Sequence, residues 1–377
     1  MKKLPLSYIE INKKSLIYNC QQFRNFVKKG TQISAVIKSN AYGHGSLEVV
    51  KILNPFVDYF QVNSFRELEA IKKISKKPIL VLGYVSKNDL AKAISAGCIL
   101  SAFDFEHLLL INEAARKLNK KQKIHLAIDS FLGREGFMPS EISKILPEIK
   151  KMKNVTVDGI YSHFANIEDT ANFSHAQKQI NIYQKICILF KNNNYKNIKT
   201  HISATSGALV YEQDNGFNNI VRIGIGIYGL WPSLYLEKNW KNKINLKPIL
   251  RFVTHVAQIK TLTKGYSVGY GLTYVTKKET RVAVIPVGYA DGFDRSLSNI
   301  GEVLIKGIKC RVLGRVAMNM FVVDVSNIPD LNTEEEVIII GKQGQGEISV
   351  EEIAKKANTI NYEIIAQLNP LIPRIIV

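Results

Sequence analysis

A chain of 377 residues is too long for one small core and suits two domains, or one barrel of roughly 200 to 250 residues with a smaller companion. With 46% hydrophobic, 22% charged and 9% aromatic residues, it has the make-up of a folded globular protein, which excludes a disordered or collagen-like chain. The formal charge is +19, but the lysines are scattered in pairs such as Lys72-Lys73 and Lys120-Lys121 and never reach polybasic density, so the surplus reads as a solvated surface. Such a field favours anionic substrates and gives no motif for nucleic acid.

In chain order, the opening MKKLPLSYIEI is interrupted by Ser7 and Glu10, so no secretory apolar core forms. No later segment reaches the roughly 18 apolar residues of a membrane span. Cys20, Cys98, Cys187 and Cys310 lie far apart, with no C-x-x-C pair and no histidine cluster at ligand spacing. They read as buried thiols of a cytoplasmic protein without a metal site.

A helical pattern over residues 13 to 28 is followed by one theme repeated eight times, a short apolar run, a polar or glycine turn and a stretch of helical period. The runs are 33 to 38, 59 to 63, 79 to 83, 99 to 103, 124 to 129, 157 to 164, 199 to 204 and 219 to 224. Between them lie helical patterns such as 64 to 74 and 105 to 118. Near-continuous apolar strands alternating with helices predict a parallel sheet covered on both faces, and eight of them predict a (β/α)8 TIM barrel with its active site at the strands' C-terminal ends. A proline-bracketed, Lys/Asn-rich stretch from 231 to 248 reads as a linker. Beyond it, alternating runs separated by glycine turns predict a C-terminal β-rich domain, with helical period returning only at 350 to 357. The expected division is 1 to 240 for the barrel and 241 to 377 for the β domain.

The strongest local feature is AVIKSNAYGHG, residues 35 to 45, where Lys38 closes an apolar strand before a small, glycine-bearing loop. Such a lysine sometimes only snorkels to solvent. Buried among apolar residues, its amine instead loses preference for the charged form and becomes a competent nucleophile and base. Arg134 in IDSFLGREGF, residues 128 to 137, follows the fifth strand, and His163 in YSHFA, residues 161 to 165, ends the sixth. Taken singly, these are as compatible with a surface arginine and a core histidine as with a site. Three further stretches complete the set: HISATSG from 201, VRIGIGIYG from 221 with Arg222, and GYSVGYGLTY from 265 with Tyr270.

These motifs, in this order and over essentially the whole chain, resemble those of the alanine racemases. There the first is usually AVVKANAYGHG, the second IDTGMGRLGF, and the later ones THFA, H-x-A-N-S, VRPGIALYG and G-x-x-V-S-Y-G. The resemblance implies pyridoxal 5′-phosphate held as an imine on Lys38, with Tyr42 near its phosphate, His163 stacked on it and Arg222 at its ring nitrogen. It places Arg134 at the cofactor phenolic oxygen and the substrate carboxylate. Thr205, with Ser206 as the alternative, supplies the phosphate hydroxyl, joined by the N–H groups around Gly224 and Ile225 and by Tyr362 of INYEI. An arginine at the ring nitrogen weakens the cofactor as an electron sink, which suits a racemase better than a transaminase.

By the same match Tyr270 is a second base opposite Lys38, contributed by the partner of a homodimer with shared sites. Inverting a stereocentre requires proton donors and acceptors on both faces. Met318 contacts the substrate carboxylate through its backbone, and Tyr289 and Asn319 line the entrance. The chain departs from the pattern at Ala127, where many members carry a lysine, often carbamylated, that orients the arginine; at Ala204-Thr205, Ile223 and Asn319; and at Leu371, in place of an arginine. The implied reaction interconverts L- and D-alanine and supplies peptidoglycan. Racemisation of serine, lysine or a broader set on the same scaffold is the alternative, and a single-domain cofactor carrier is disfavoured by the complete second domain.

Overall fold

The computed structural model describes residues 4 to 213 and 216 to 377. A first strand, β1 (Tyr8–Ile11), leads into the helix Lys13–Phe26, whose Leu16, Cys20 and Phe23 recur at helical spacing and are buried. The eight apolar runs then become β2 (Gln32–Val36), β3 (Tyr59–Val62), β4 (Ile79–Val81) and β5 (Ile99–Ala102), followed by β6 (Gln122–Ala127), β7 (Val155–Tyr161), β8 (Lys199–His201) and β9 (Ile220–Ile223). They pair in parallel in chain order from β2 to β8, and β9 returns to β2, with Ser34 opposite Arg222. The last gap is bridged by Asn219 N–H donating to Thr200 O and Arg222 N–H to Ser203 O, both at 3.0 Å. Every residue of β3, β4, β5 and β9 is buried, as strands covered on both faces require. The chain therefore forms the eight-stranded parallel barrel that the apolar runs predict, with helices such as Phe65–Lys72 and Phe105–Lys117 between the strands.

The second sheet is mostly antiparallel and runs through the strands after residue 249, from Leu250–His255 to Arg374–Ile376. It also contains β1, antiparallel to Leu250–His255, with Tyr8 opposite Val253, and parallel to Arg374–Ile376. The chain accordingly groups into two compact units. One comprises residues 14 to 39 and 49 to 248; the other comprises residues up to 13, 40 to 48 and 249 to 377. The first residues thus group with the C-terminal sheet rather than with the barrel, because β1 finds its partners some 240 positions away and local pattern cannot show that. Among the described residues no helix is long and apolar enough to cross a membrane.

Directly after Lys38 the backbone makes a left-handed turn. Ser39, Asn40, Ala41 and Tyr42 all have φ of +52° or +53°. For residues with a Cβ this costs about 1–2 kcal/mol each, so it persists only where the surroundings impose it. Gly43 follows at φ +79°, where an added Cβ would lie 1.8 Å from the Ile365 carbonyl oxygen, so only glycine passes. Arg374 caps this end, donating from Nη2 and Nε to Gly43 O at 2.8 and 3.1 Å.

Candidate active site

In the barrel unit, Lys38 lies just past the end of β2, after Ile37 N–H bonds to Gln61 O at 2.8 Å. Burial lowers the pKa of its amine; Arg134 and Arg222 lower it further, while Glu67 and Glu135 oppose them. Arg222, on β9, is buried, and its Nη2 donates to Ser162 O at 2.6 Å, Ile202 O at 2.8 Å and His163 Nδ1 at 3.2 Å. Its guanidinium lies 5.4 Å from the centre of the Tyr161 ring. Burial brings Arg222 down to about 10, which leaves it cationic at neutral pH. Burial, with Arg222, Arg134 and Lys38 nearby, presses His163 down to about 3. Its imidazole is therefore neutral, and because an arginine only donates, Nδ1 is the acceptor and the ring proton sits on Nε2.

After β6, Asp129 Oδ1 accepts from Leu132 N–H at 2.8 Å and Gly133 N–H at 3.1 Å, building the turn that presents Arg134. Ala127 is buried and brings no charge. The carboxylate beside Arg134 is its neighbour Glu135, which accepts from both Nε and Nη2, the latter at 2.8 Å. A cavity of about 390 Å³ opens here, lined by Arg134, His163, Glu168, Ala204, Ser206 and Gly207. The Ser206 hydroxyl reaches Glu168 Oε1 at 2.9 Å. Thr205 is buried beneath, its Oγ1 accepting from Gly224 N–H at 3.1 Å and Gly226 N–H at 3.3 Å. Of the two hydroxyls read from the sequence, Ser206 lines the cavity, and Thr205 braces the loop that carries Gly224 and Ile225.

In the other unit, the Tyr42 and Tyr362 rings lie 6.1 Å apart. Tyr270 starts the short turn Tyr270–Leu272 between two glycines at positive φ and is 75% exposed. With Tyr289, Met318 and Asn319 it lines a second cavity, of about 750 Å³, together with Arg295 and Arg315. Arg315 packs its guanidinium against Gly271, and Ala290 N–H donates to Met318 O at 3.0 Å.

Sequence reasoning missed several of these groups. Glu135 stands within a quoted motif and Glu168 three residues after one, and Arg315 stands three residues before Met318; none was given a role. The buried pair His125 and His201, 2.8 Å apart between Nδ1 and Nε2, was also missed, as was Asp158, 3.3 Å from His125. The available signal was a polar residue inside an apolar run, since His125 is buried in β6 between Ile124 and Leu126.

Residues 11–232 match the family model described as alanine racemase, N-terminal domain, and residues 249–376 match alanine racemase, C-terminal domain. The alanine racemase of Leptospira interrogans is 34% identical over 386 residues, covering all of this chain and 97% of the relative. That of Methanococcus maripaludis is 35% identical, with 98% of each chain covered. Among solved structures, the alanine racemase of Clostridium difficile agrees with a TM-score of 0.92 at 31% identity, over all of this chain and 97% of its own. That of Bacillus anthracis with bound L-Ala-P agrees with a TM-score of 0.91 at 30% identity, over all of this chain and 96% of its own.

Proposed function

The chain belongs to the alanine racemase family and interconverts L- and D-alanine, and we propose that Lys38 and Tyr270 are its two proton-transfer groups, with pyridoxal 5′-phosphate carried on Lys38. The residues fit that cofactor. Lys38 offers an amine of depressed pKa for its carbonyl carbon, Arg222 a buried cation for its ring nitrogen, and Ser206, which lines the cavity beside the loop that Thr205 braces, would turn its hydroxyl from Glu168 to the phosphate. Tyr42 and Tyr362 are further candidates for the phosphate end. When bound, pyridoxal phosphate supplies electron withdrawal that acidifies the substrate Cα–H.

The chain's own groups do the rest. The Lys38 amine takes or returns the proton at one face of Cα, and the Tyr270 hydroxyl serves the other face. Arg134 binds the substrate carboxylate, Glu135 orients its guanidinium in place of the group absent at Ala127, and the Met318 backbone contacts the carboxylate as well. Neutral His163, polarised by Arg222, would present Nε2–H to the Tyr270 oxygen as the proton moves. Tyr289 and Asn319 shape the approach. Because Tyr270 is exposed among Leu272, Met318 and Met320, a second copy of the chain is the partner that covers it, giving a homodimer with shared sites. The buried free thiols of Cys20, Cys98 and Cys310 suit the reducing cytoplasm, where D-alanine enters peptidoglycan synthesis.

The observation that carries this reading is the grouping of Lys38 with Arg134, Arg222 and His163, in which Arg222 donates to His163 at 3.2 Å and Arg134 and His163 line one cavity. Borohydride reduction of the active protein followed by peptide mapping tests it. A pyridoxyl label on Lys38 is expected, and racemase activity accompanied by a label on any other residue would overturn the assignment.

A further inference from the structure

We propose that Glu67 is a positioning residue for the cofactor lysine, its carboxylate strapping the backbone just after Lys38 to the start of the helix Phe65–Lys72. The inference rests on the reading of Lys38 given above. Glu67 Oε1 accepts the Ser39 N–H at 2.6 Å, across 28 positions of sequence. Its Oε2 accepts Asn63 N–H at 2.6 Å and Ser64 N–H at 3.1 Å, and Glu67 N–H donates to Ser64 Oγ at 3.3 Å. A capping box needs only the reciprocal bonds between Ser64 and Glu67. The bond to Ser39 lies outside that requirement and joins two neighbouring strand-to-helix loops at the barrel mouth.

Its consequence follows from the rigidity of the peptide. The plane that carries the Ser39 N–H also carries the Lys38 carbonyl, so anchoring one fixes ψ of Lys38 and the direction in which its side chain leaves the backbone. Ser39 also opens the left-handed turn, a conformation that local preference opposes and that needs outside support. An ionised acceptor makes this the stronger class of hydrogen bond. The same negative charge favours the protonated Lys38 amine, against burial and the two arginines.

The test compares wild type, Glu67→Gln, Glu67→Asp and Ser64→Ala. For each, the affinity of the apoprotein for pyridoxal phosphate and the pH midpoint of its capture are read from the visible absorption of the complex, beside the melting temperature. Glu67→Gln is expected to weaken cofactor binding by about ten- to a hundredfold, the loss of one hydrogen bond to a charged group, and to move the midpoint to lower pH. Glu67→Asp keeps the charge but falls short of Ser39, so it weakens binding with a smaller pH shift. Ser64→Ala removes only the helix cap and lowers the melting temperature without changing either cofactor readout. Wild-type affinity and midpoint in Glu67→Gln, or a Ser64→Ala protein that reproduces its changes, would overturn the strap. A borohydride label away from Lys38 in the wild type would instead overturn the underlying assignment of the lysine.

Discussion

Burial acts in the same direction on Lys38 and Arg222 but leaves them in different chemical roles, because their ordinary values, 10.5 and 12.5, stand apart. A lowered lysine becomes a usable base, whereas an arginine brought down to about 10 remains a fixed cation. Burial, with that fixed cation beside it, keeps His163 neutral, and the hydrogen bond from Arg222 orients it. Tyr270→Phe removes one of the two proposed proton-transfer groups and is expected to slow racemisation by roughly 10²–10⁴-fold. In deuterium oxide this variant should still exchange the Cα hydrogen of one alanine enantiomer, and equal residual exchange of both would contradict the division of faces. A second expectation concerns acid stability. His44, His107, His125, His163 and His201 are all lowered from 6.5 by burial, His44 to about 4 and His163 to about 3. Between those values and 6.5 the unfolded chain binds more protons, so the stabilisation is complete above about pH 6.5 and is lost as pH falls toward 4. A depressed carboxylate such as Asp158 withdraws its contribution only below its ordinary 3.8, so the loss between pH 6.5 and 4.5 belongs to the histidines. His44, buried and held at about 4, contributes on the order of 1–2 kcal/mol by pH 5 and the other lowered histidines act in the same direction, so urea midpoints should fall clearly between pH 7 and pH 5. A flat profile would exclude this account.

The barrel strands are the elements most legible in the sequence, because a strand buried on both faces must be apolar throughout and the helix after it must show a 3.6-residue period. β1 was not legible: its four residues, YIEI, acquire a role only when Leu250–His255 and Arg374–Ile376 flank them. The helix Thr205–Tyr211 shows a finer division. Successive residues on a helix point about 100° apart, and here the two adjacent hydroxyls meet different surroundings. Thr205 faces the Gly224 and Gly226 N–H groups, and Ser206 faces the cavity. Thr205→Val is therefore expected to cost about 1–3 kcal/mol of stability by stranding buried donors. Ser206→Ala should leave the urea midpoint within about 1 kcal/mol and weaken pyridoxal phosphate binding, as measured by titration of the apoprotein. The opposite pattern would return the phosphate hydroxyl to Thr205.

For the whole molecule, the proposed shared-site homodimer makes a prediction that neither chain can meet alone. Mixing Lys38→Ala with Tyr270→Phe protein, each nearly inactive, should restore activity. With random exchange half the dimers are mixed and each carries one intact site of two, so the recovery approaches about a quarter of wild type. No recovery, with mixed dimers demonstrated by mass, would place both groups in one chain. The net charge of +19 explains none of this and stays a property of the surface. Residue order alone was enough for the eight-fold strand and helix alternation, the β-rich C-terminal region and the choice of Lys38, Arg134, His163, Arg222 and Tyr270 as candidates, because periodicity and motif order are local and cumulative. It took the folded chain to reveal that Arg222 donates to His163, that Glu135 stands beside Arg134 while Ala127 brings no charge, that Ser206 rather than Thr205 lines the cavity, and that Glu67 accepts from the backbone after Lys38. Each of these is a hydrogen bond or a direction in space, set by how the backbone turns and which elements pack side by side, and neither is written in the spacing of residues along the chain.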